Sequence, residues 1–215
     1  MATIDFHKIY TLQDKVLEII YSNETTLYLT GGTCLNRFYY NCRFSDDLDL
    51  FTNENAIFRD DFRIVMENLR SSTLPYTIMV DTRDFVRLNI NGILQVDLVN
   101  DRVYRYGKSI LSSSGIFLDN VENICANKIC AIIGRDDPKD MFDLYTIYKK
   151  GKINWKEAME AARKKCVIDH EVLEFRLSSF PLKLLDLLNV VDSVMISDTK
   201  KEYPGMVEHI LKSIP

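Results

Sequence analysis

The chain has 215 residues, 47% of them hydrophobic and 27% charged, with a formal net charge of −4 at pH 7. That is room for one large domain, or one domain with a smaller helical extension, and two full domains would be tight. No run approaches the roughly 20 apolar residues that cross a bilayer, and "MATIDFHKIY" lacks the basic start and apolar middle of a secretory signal. A cytoplasmic protein with no membrane contact is therefore expected. The negative balance argues against a chain coated in positive charge for nucleic acid, although a net figure can hide a patch. Five cysteines without a CxxC pair suggest neither a disulfide framework nor a zinc knuckle. Cys34, Cys125 and Cys130 lie in apolar surroundings and read as small core residues, and the three scattered histidines give a metal centre or a triad little to work with.

Residues 5–23 read as an amphipathic helix, with Ile9, Leu12, Val16, Ile19 and Ile20 at helical spacing. "TLYLT" (26–30) is a short strand interrupted by Gly31 and Gly32, and Thr33 to about Tyr40 returns to helix. "DLDLF" (47–51) alternates as a strand and Asn55 to Leu69 reads as helix. Three strand-like runs follow, 76–80, 85–90 and 93–99, the last two joined by Asn91-Gly92, a strong hairpin signal. Beyond residue 100, helices are expected at about 120–133, 138–149, 154–165 and 170–190, with one more at the end. The fold class is α+β: an α/β N-terminal half (1–115) and a nearly all-helical C-terminal half (116–215).

Asp47 and Asp49 sit two apart on a strand, so their carboxylates share a face while Leu48 and Leu50 point into the core. Two ionised carboxylates at that separation repel unless a cation is shared. Hard cations such as Mg²⁺ take oxygen ligands, commonly one or two carboxylates plus substrate phosphates. Taken alone, the pair reads rather as a solvated edge strand with incidental acids. Its context points elsewhere. Gly31-Gly32-Thr33 falls between a strand and a helix start, where backbone N–H groups and the helix dipole make a seat for phosphate and glycine permits close approach. It is neither a Walker A loop nor a dinucleotide fingerprint. Asp97 in "LQVDLV" is again an isolated acid in an apolar strand. If that strand lies beside 47–51, three carboxylates meet at one spot. Two divalent ions held there can bridge the attacking and leaving oxygens of a displacement at phosphorus, a chemistry that needs no histidine or cysteine nucleophile.

"GGTCLNRFYYNCRFSDDLDLF", together with "NKICAIIGRDDPKDMFDLYTIY" at 127–148, resembles the AbiEii/AbiGii toxin-type nucleotidyltransferases of the DNA polymerase β-like superfamily. The family pattern falls on Gly31, Gly32, Arg43, Ser45, Asp47, Asp49, Asp97, Lys128, Arg135, Asp140, Asp143 and Leu144, over about residues 27–150. The resemblance implies a mixed-sheet catalytic core with flanking helices and a C-terminal helical bundle that completes an active-site cleft. It implies an NTP substrate with Mg²⁺ (two ions, or Mn²⁺ in their place), an acceptor such as tRNA or other RNA, and a cognate antitoxin. Asp47, Asp49 and Asp97 would be metal ligands and, with Lys128, catalytic. Gly31, Gly32, Thr33, Ser45, Lys128 and Arg135 would bind nucleotide, supported by Arg43, Asp140 and Asp143.

Lys128 and Arg135 are seven apart, two helical turns, and can meet the same charge. Asp137 can cap the next helix and Pro138 suits its first turn, so Asp140 reads equally as the acid of a capping box. Asp143 could orient Lys128 or Arg135 rather than touch substrate. Ser45 could bond the local backbone, a phosphate or a metal-bound water, and Arg43 could pair with an acid. Seven Lys or Arg against two Glu from Lys149 to Lys165 read as a solvated helix face that leaves room for a polyanion. A smaller basic group is Arg102, Arg105 and Lys108.

Three other readings share parts of the pattern. A haloacid-dehalogenase-type hydrolase also begins at Asp-x-Asp, but there the aspartate follows a buried apolar strand and Thr or Val stands where this chain has Phe51. A non-catalytic nucleotide-binding module that docks to a protein or RNA partner has no use for unpaired like charges. A nucleotidyltransferase acting on a small molecule would share the chemistry and differ in acceptor.

Overall fold

A computed structural model of the chain describes residues 5–213; the first four residues of the segment read for a leader lie outside that range. The chain divides into two compact units, neither continuous in sequence. One runs to Thr33 and then takes Ser45–Arg102 and Ser109–Asp119; the other takes Cys34–Phe44, Val103–Lys108 and the chain from Asn120 onward. The expected division at residue 115 lies four residues before the crossing at 119/120, and two short excursions of the N-terminal half belong with the helical part.

The first unit is built on a seven-stranded mixed sheet. Its strands are β1 (Tyr28–Thr30), β2 (Asp47–Thr52), β3 (Tyr76–Asp81), β4 (Phe85–Ile90), β5 (Leu94–Asn100), β6 (Ile110–Leu111) and β7 (Phe117–Leu118), in the order β3-β4-β5-β2-β1-β7-β6. Strands β2 and β5 run parallel, as do β1 and β7, and the other pairings are antiparallel. Alternation decides the faces. Leu48 and Leu50 on β2, Val86, Leu88 and Ile90 on β4, and Leu94, Val96 and Leu98 on β5 are all fully buried. Helices α1 (Phe6–Ile20) and α3 (Phe58–Ser71) pack on each other and on β5. Each such Leu, Ile or Val removed from water contributes about 1.5–3 kcal/mol before entropy is counted. Asp5 caps α1, its carboxylate accepting from the Lys8 N–H at 3.2 Å.

The hairpin expected at Asn91-Gly92 forms with both residues at positive φ, +56° and +74°, and the Ile93 N–H closes the turn on the Ile90 carbonyl at 3.2 Å. The paired residues are Ile90 and Leu94, so Ile93 is an extra residue turned outward, 53% exposed. After β1 the backbone makes a short helical turn, α2 (Gly31–Thr33), and continues as a π-helix, Cys34–Tyr40, rather than the ordinary α-helix expected. The Asn41 N–H accordingly bonds the Asn36 carbonyl five residues back, at 2.9 Å.

The second unit contains α4 (Val121–Gly134), which packs on α5 (Pro138–Lys150), α6 (Trp155–Lys165) and α7 (His170–Ser179), and α8 (Val194–Lys212), which packs on α5 and α7. Each of α4 to α7 begins at a side-chain cap: Asn120, Asp137, Asn154 and Asp169. The helix expected over 170–190 stops at Ser179 and a 3₁₀ turn, Leu182–Leu187, follows. Pro181 is the reason, because its ring pushes Phe180 out of the helical region, to ψ 126°.

Candidate active site

The polar face of the sheet collects the acids. Asp49 is in register with Asp97 across the parallel β2–β5 pair, with Thr30 on its other side, and Asp97 is in register with Arg87 on β4. A lateral row Thr30–Asp49–Asp97–Arg87 therefore crosses four strands, with neighbouring Cβ atoms about 5 Å apart. Asp47 shares the face two residues before Asp49, opposite Gln95. The expectation that strand 93–99 would lie beside 47–51 is met, with Asp97 beside Asp49.

Each acid is held by its own set of bonds. Buried Gln13 on α1 donates through Nε2 to the carbonyls of Ser45 and Asp47, both at 3.1 Å, which fixes the approach to β2. Thr33 donates its hydroxyl to the Asp47 carbonyl at 2.6 Å and lies 3.4 Å from that residue's carboxylate. Ser45 Oγ donates to Asp47 Oδ1 at 3.3 Å, rather than to the local backbone, and its N–H donates to the Tyr10 hydroxyl at 3.2 Å. Gly31 adopts φ +68°, and a Cβ there would overlap the Asp49 carboxylate. Glycine at this position is thus required by close packing against an acid as well as by backbone conformation.

Asp97 has a partner that the sequence reading did not identify. Arg87 grips it with Nε 2.8 Å from Oδ1 and Nη2 2.7 Å from Oδ2, and Gln95 adds Nε2 at 3.2 Å. Its bonds to Asp97, and the charges of Asp97, Asp49 and Asp47, raise the Arg87 pKa above the ordinary value. Asp47 and Asp49 match the donor chemistry of a hard divalent cation completed by substrate phosphates. Asp97 matches it only if Arg87 lets go. Among the described residues, no three His, Cys, Asp or Glu side chains are arranged to hold a metal ion.

The helical unit holds a second charged cluster. Arg43 binds Asp143 with both prongs, Nε to Oδ1 and Nη2 to Oδ2, each at 2.7 Å. Asn36 of the π-helix donates to Asp143 Oδ1 at 3.0 Å, and its own Oδ1 accepts from the Arg43 N–H at 3.2 Å. Lys128 Nζ lies 2.8 Å from Asp140 and 2.7 Å from Asp143, and Arg135 Nε reaches the other Asp140 oxygen at 2.7 Å. Lys128 and Arg135 thus meet on one carboxylate, but not through two-turn helical spacing, because Arg135 lies past the end of α4 with an extended backbone, φ −156° and ψ 156°. Asp140 is engaged as their counter-ion, and Asp143 orients Lys128 together with Arg43. Burial pushes the Asp143 carboxyl up, but Arg43 and Lys128 outweigh it and hold the pKa at about 2. Burial disfavours the Lys128 charge, yet Asp143 and Asp140 leave its pKa raised. Burial opposes the charge of Asp140 as well, and Lys128 and Arg135 keep its pKa lowered. Buried charges persist only when fully paired in this way.

The basic run is mostly exposed, with part of its charge committed locally. Lys149 pairs with Glu202 at 2.7 Å, Lys150 donates to the Tyr40 carbonyl at 3.3 Å, and Lys164 lies 4.8 Å over the Tyr104 ring. All five cysteines are free thiols; Cys34 and Cys125 are buried as expected, and Cys130 is partly exposed. No helix among the described residues is long and apolar enough to cross a membrane.

Three residues missed in the sequence organise the clusters: Gln13, Asn36 and Arg87. Gln13 had a signal, since it is a polar residue beside Leu12 and Val16 on the buried stripe of α1. Arg87 had one too, as the outward position of an alternating strand.

A family model described as nucleotidyl transferase AbiEii toxin, type IV TA system, matches residues 19–215, a span that contains both clusters. The uncharacterised protein aq_aa25 of Aquifex aeolicus (strain VF5) is 28% identical over 158 residues, 71% of each chain. The crystal structure of JHP933 from Helicobacter pylori superposes with a TM-score of 0.59 at 19% identity, covering 100% of this chain and 95% of that one. MenT4, a nucleotidyltransferase toxin from Mycobacterium tuberculosis H37Rv, gives a TM-score of 0.50 at 11% identity, covering 97% and 88%. These structural likenesses show the fold.

Proposed function

Because the chain belongs to the AbiEii nucleotidyl transferase toxin family, we propose that this nucleotidyltransferase moves a nucleotide from an NTP to an acceptor hydroxyl, with RNA, and tRNA in particular, as the acceptor class. The observation that carries the reading is the register of Asp49 with Asp97, with Asp47 on the same face. Three acids brought together on one sheet face fit a reaction whose main demand is charge neutralisation around phosphorus.

The acceptor oxygen attacks the α-phosphorus; the new O–P bond forms as the bond to the bridging oxygen breaks, and pyrophosphate leaves with that electron pair. Asp97 takes the hydroxyl proton. Asp47, Asp49 and Asp97 are the residues that would hold magnesium, two ions in the full site or manganese in their place. Bound there, such ions supply Lewis acidity and neutralise charge on the attacking and leaving oxygens. Gly31, Gly32 and Thr33 cradle the triphosphate tail through backbone N–H groups, and Ser45 steadies Asp47. Within the helical unit, Lys128 and Arg135 are further candidates for contact with nucleotide, kept in place by Arg43, Asp140 and Asp143. The family's description with toxin–antitoxin systems extends the reading to a cognate antitoxin.

The test is incubation with each NTP labelled at the α- or γ-phosphorus, with Mg²⁺ and total RNA. The α-label is expected in RNA and the γ-label in pyrophosphate. Label in a small molecule instead would move the acceptor class, and bound NTP with no label transferred would favour a docking module.

A further inference from the structure

The acid face carries its own cation. Arg87 occupies both oxygens of Asp97, at 2.8 and 2.7 Å, and its guanidinium lies 5.3 Å over the Phe85 ring. The Asp97 side chain is 9% exposed, whereas the Arg87 side chain is 39% exposed. A guanidinium does not lose its proton, so Asp97 is released only by displacement. Because solvent screens the arginine side, the grip is modest, and a doubly charged ion with oxygen ligands can outcompete it. We propose that Arg87 is a positioning residue that serves as a built-in counter-cation: it keeps Asp97 out of the metal site at Asp47 and Asp49 and yields it only to a divalent ion. The proposal rests on the nucleotidyl-transfer reading for the ion itself.

Two consequences follow from the charge balance. Without a divalent ion, Arg87 offsets the repulsion among three carboxylates on one sheet face, Asp97 directly beside Asp49 and Asp47 two residues along the strand. Metal binding in the absence of nucleotide then includes the work of removing Arg87 from Asp97, so the ion binds more weakly than the acids alone would hold it.

The test is Mn²⁺ binding to the full chain without nucleotide, followed by electron paramagnetic resonance, for wild type, Arg87→Met, Arg87→Met/Asp97→Asn and Asp49→Asn. Arg87→Met is expected to bind Mn²⁺ roughly five- to tenfold more tightly. The gain is expected to vanish in the double variant, because it acts through Asp97. A general loosening of the fold would not depend on residue 97 in that way. Unchanged or weaker binding by Arg87→Met, or a gain that survives Asp97→Asn, overturns the proposal. If wild type binds Mn²⁺ and only the Arg87 comparison fails, the transfer reading stands. If neither wild type nor Arg87→Met binds any, both readings fall. Should Arg87→Met not fold, Arg87→Lys, which keeps the charge without the fork, is expected to bind Mn²⁺ more tightly than wild type, and equal binding counts against the proposal. In wild type, the Arg87 Nε resonance is expected to shift saturably as Mg²⁺ is added, and a static resonance overturns the idea.

Discussion

Asp49 and Asp97, 48 positions apart in the chain, stand side by side on neighbouring parallel strands. The intervening chain forms α3, β3 and β4 before returning as β5. Their apolar neighbours Leu48, Leu50, Val96 and Leu98 are fully buried, so the core itself turns both carboxylates to the opposite face.

Gly31→Ala tests the packing of the glycine turn against Asp49. The new Cβ meets the carboxylate, and φ +68° disfavours alanine. A loss of about 1 kcal/mol or more is expected in denaturant titration. A fall in transfer of roughly a hundredfold is expected from displacement of Asp49. Steady-state rates close to wild type would contradict this.

Gln13→Leu tests the support beneath Asp47. It leaves the carbonyls of Ser45 and Asp47 without the Gln13 donor at 3.1 Å. Stability is expected to fall by about 1–3 kcal/mol, measured by urea unfolding.

On the acid side, Asp143 contributes to the pH dependence of stability. Its pKa in the folded protein is about 2, below the ordinary 3.8, so it adds stability above that ordinary value and loses it as pH falls from about 4 towards 2. In Asp143→Asn, Arg43 and Lys128 lose a buried counter-charge, which should cost about 3–5 kcal/mol at neutral pH. Between pH 4 and 2 that variant should lose less further stability than wild type. Unfolding curves measured across that range check both statements.

Lys128→Met separates structural from chemical roles. It leaves two buried carboxylates without their shared ammonium group and should cost about 3 kcal/mol. Adding Asp140→Asn restores the charge balance and should recover part of the melting temperature. Transfer should stay lost in both variants, since the charge supplied to the nucleotide is still missing. Recovery of transfer in the double variant would show that Lys128 matters only for stability.

Much of this arrangement was legible in the sequence, for identifiable reasons. Strict alternation in "DLDLF" and "LQVDLV" assigned Asp47, Asp49 and Asp97 to the polar face. The meeting of Lys128 and Arg135 on Asp140 was not legible, because Arg135 leaves the helix and reaches that carboxylate from an extended backbone. The Arg87–Asp97 pair was hidden by one residue of register. A two-residue turn at Asn91-Gly92 pairs Ile90 with Ile93 and sets Asp97 against Val86. The observed pairing of Ile90 with Leu94 sets it against Arg87. The π-helix was hidden because apolar spacing does not distinguish a bond to the fourth residue from one to the fifth. The break at Ser179 was signalled by Pro181, which disfavours a helical backbone at the residue before it. Asn36 carried no signal, since its partners Arg43 and Asp143 come together only in the folded helical unit.

The most direct test of the account is α-labelled nucleotide transfer to RNA by Asp49→Asn beside wild type, with the melting temperature of each. The substitution keeps the size of the side chain and removes one negative charge from the row. The account predicts transfer reduced to background in a protein that remains folded. Labelling by a folded Asp49→Asn protein at the wild-type rate would contradict it.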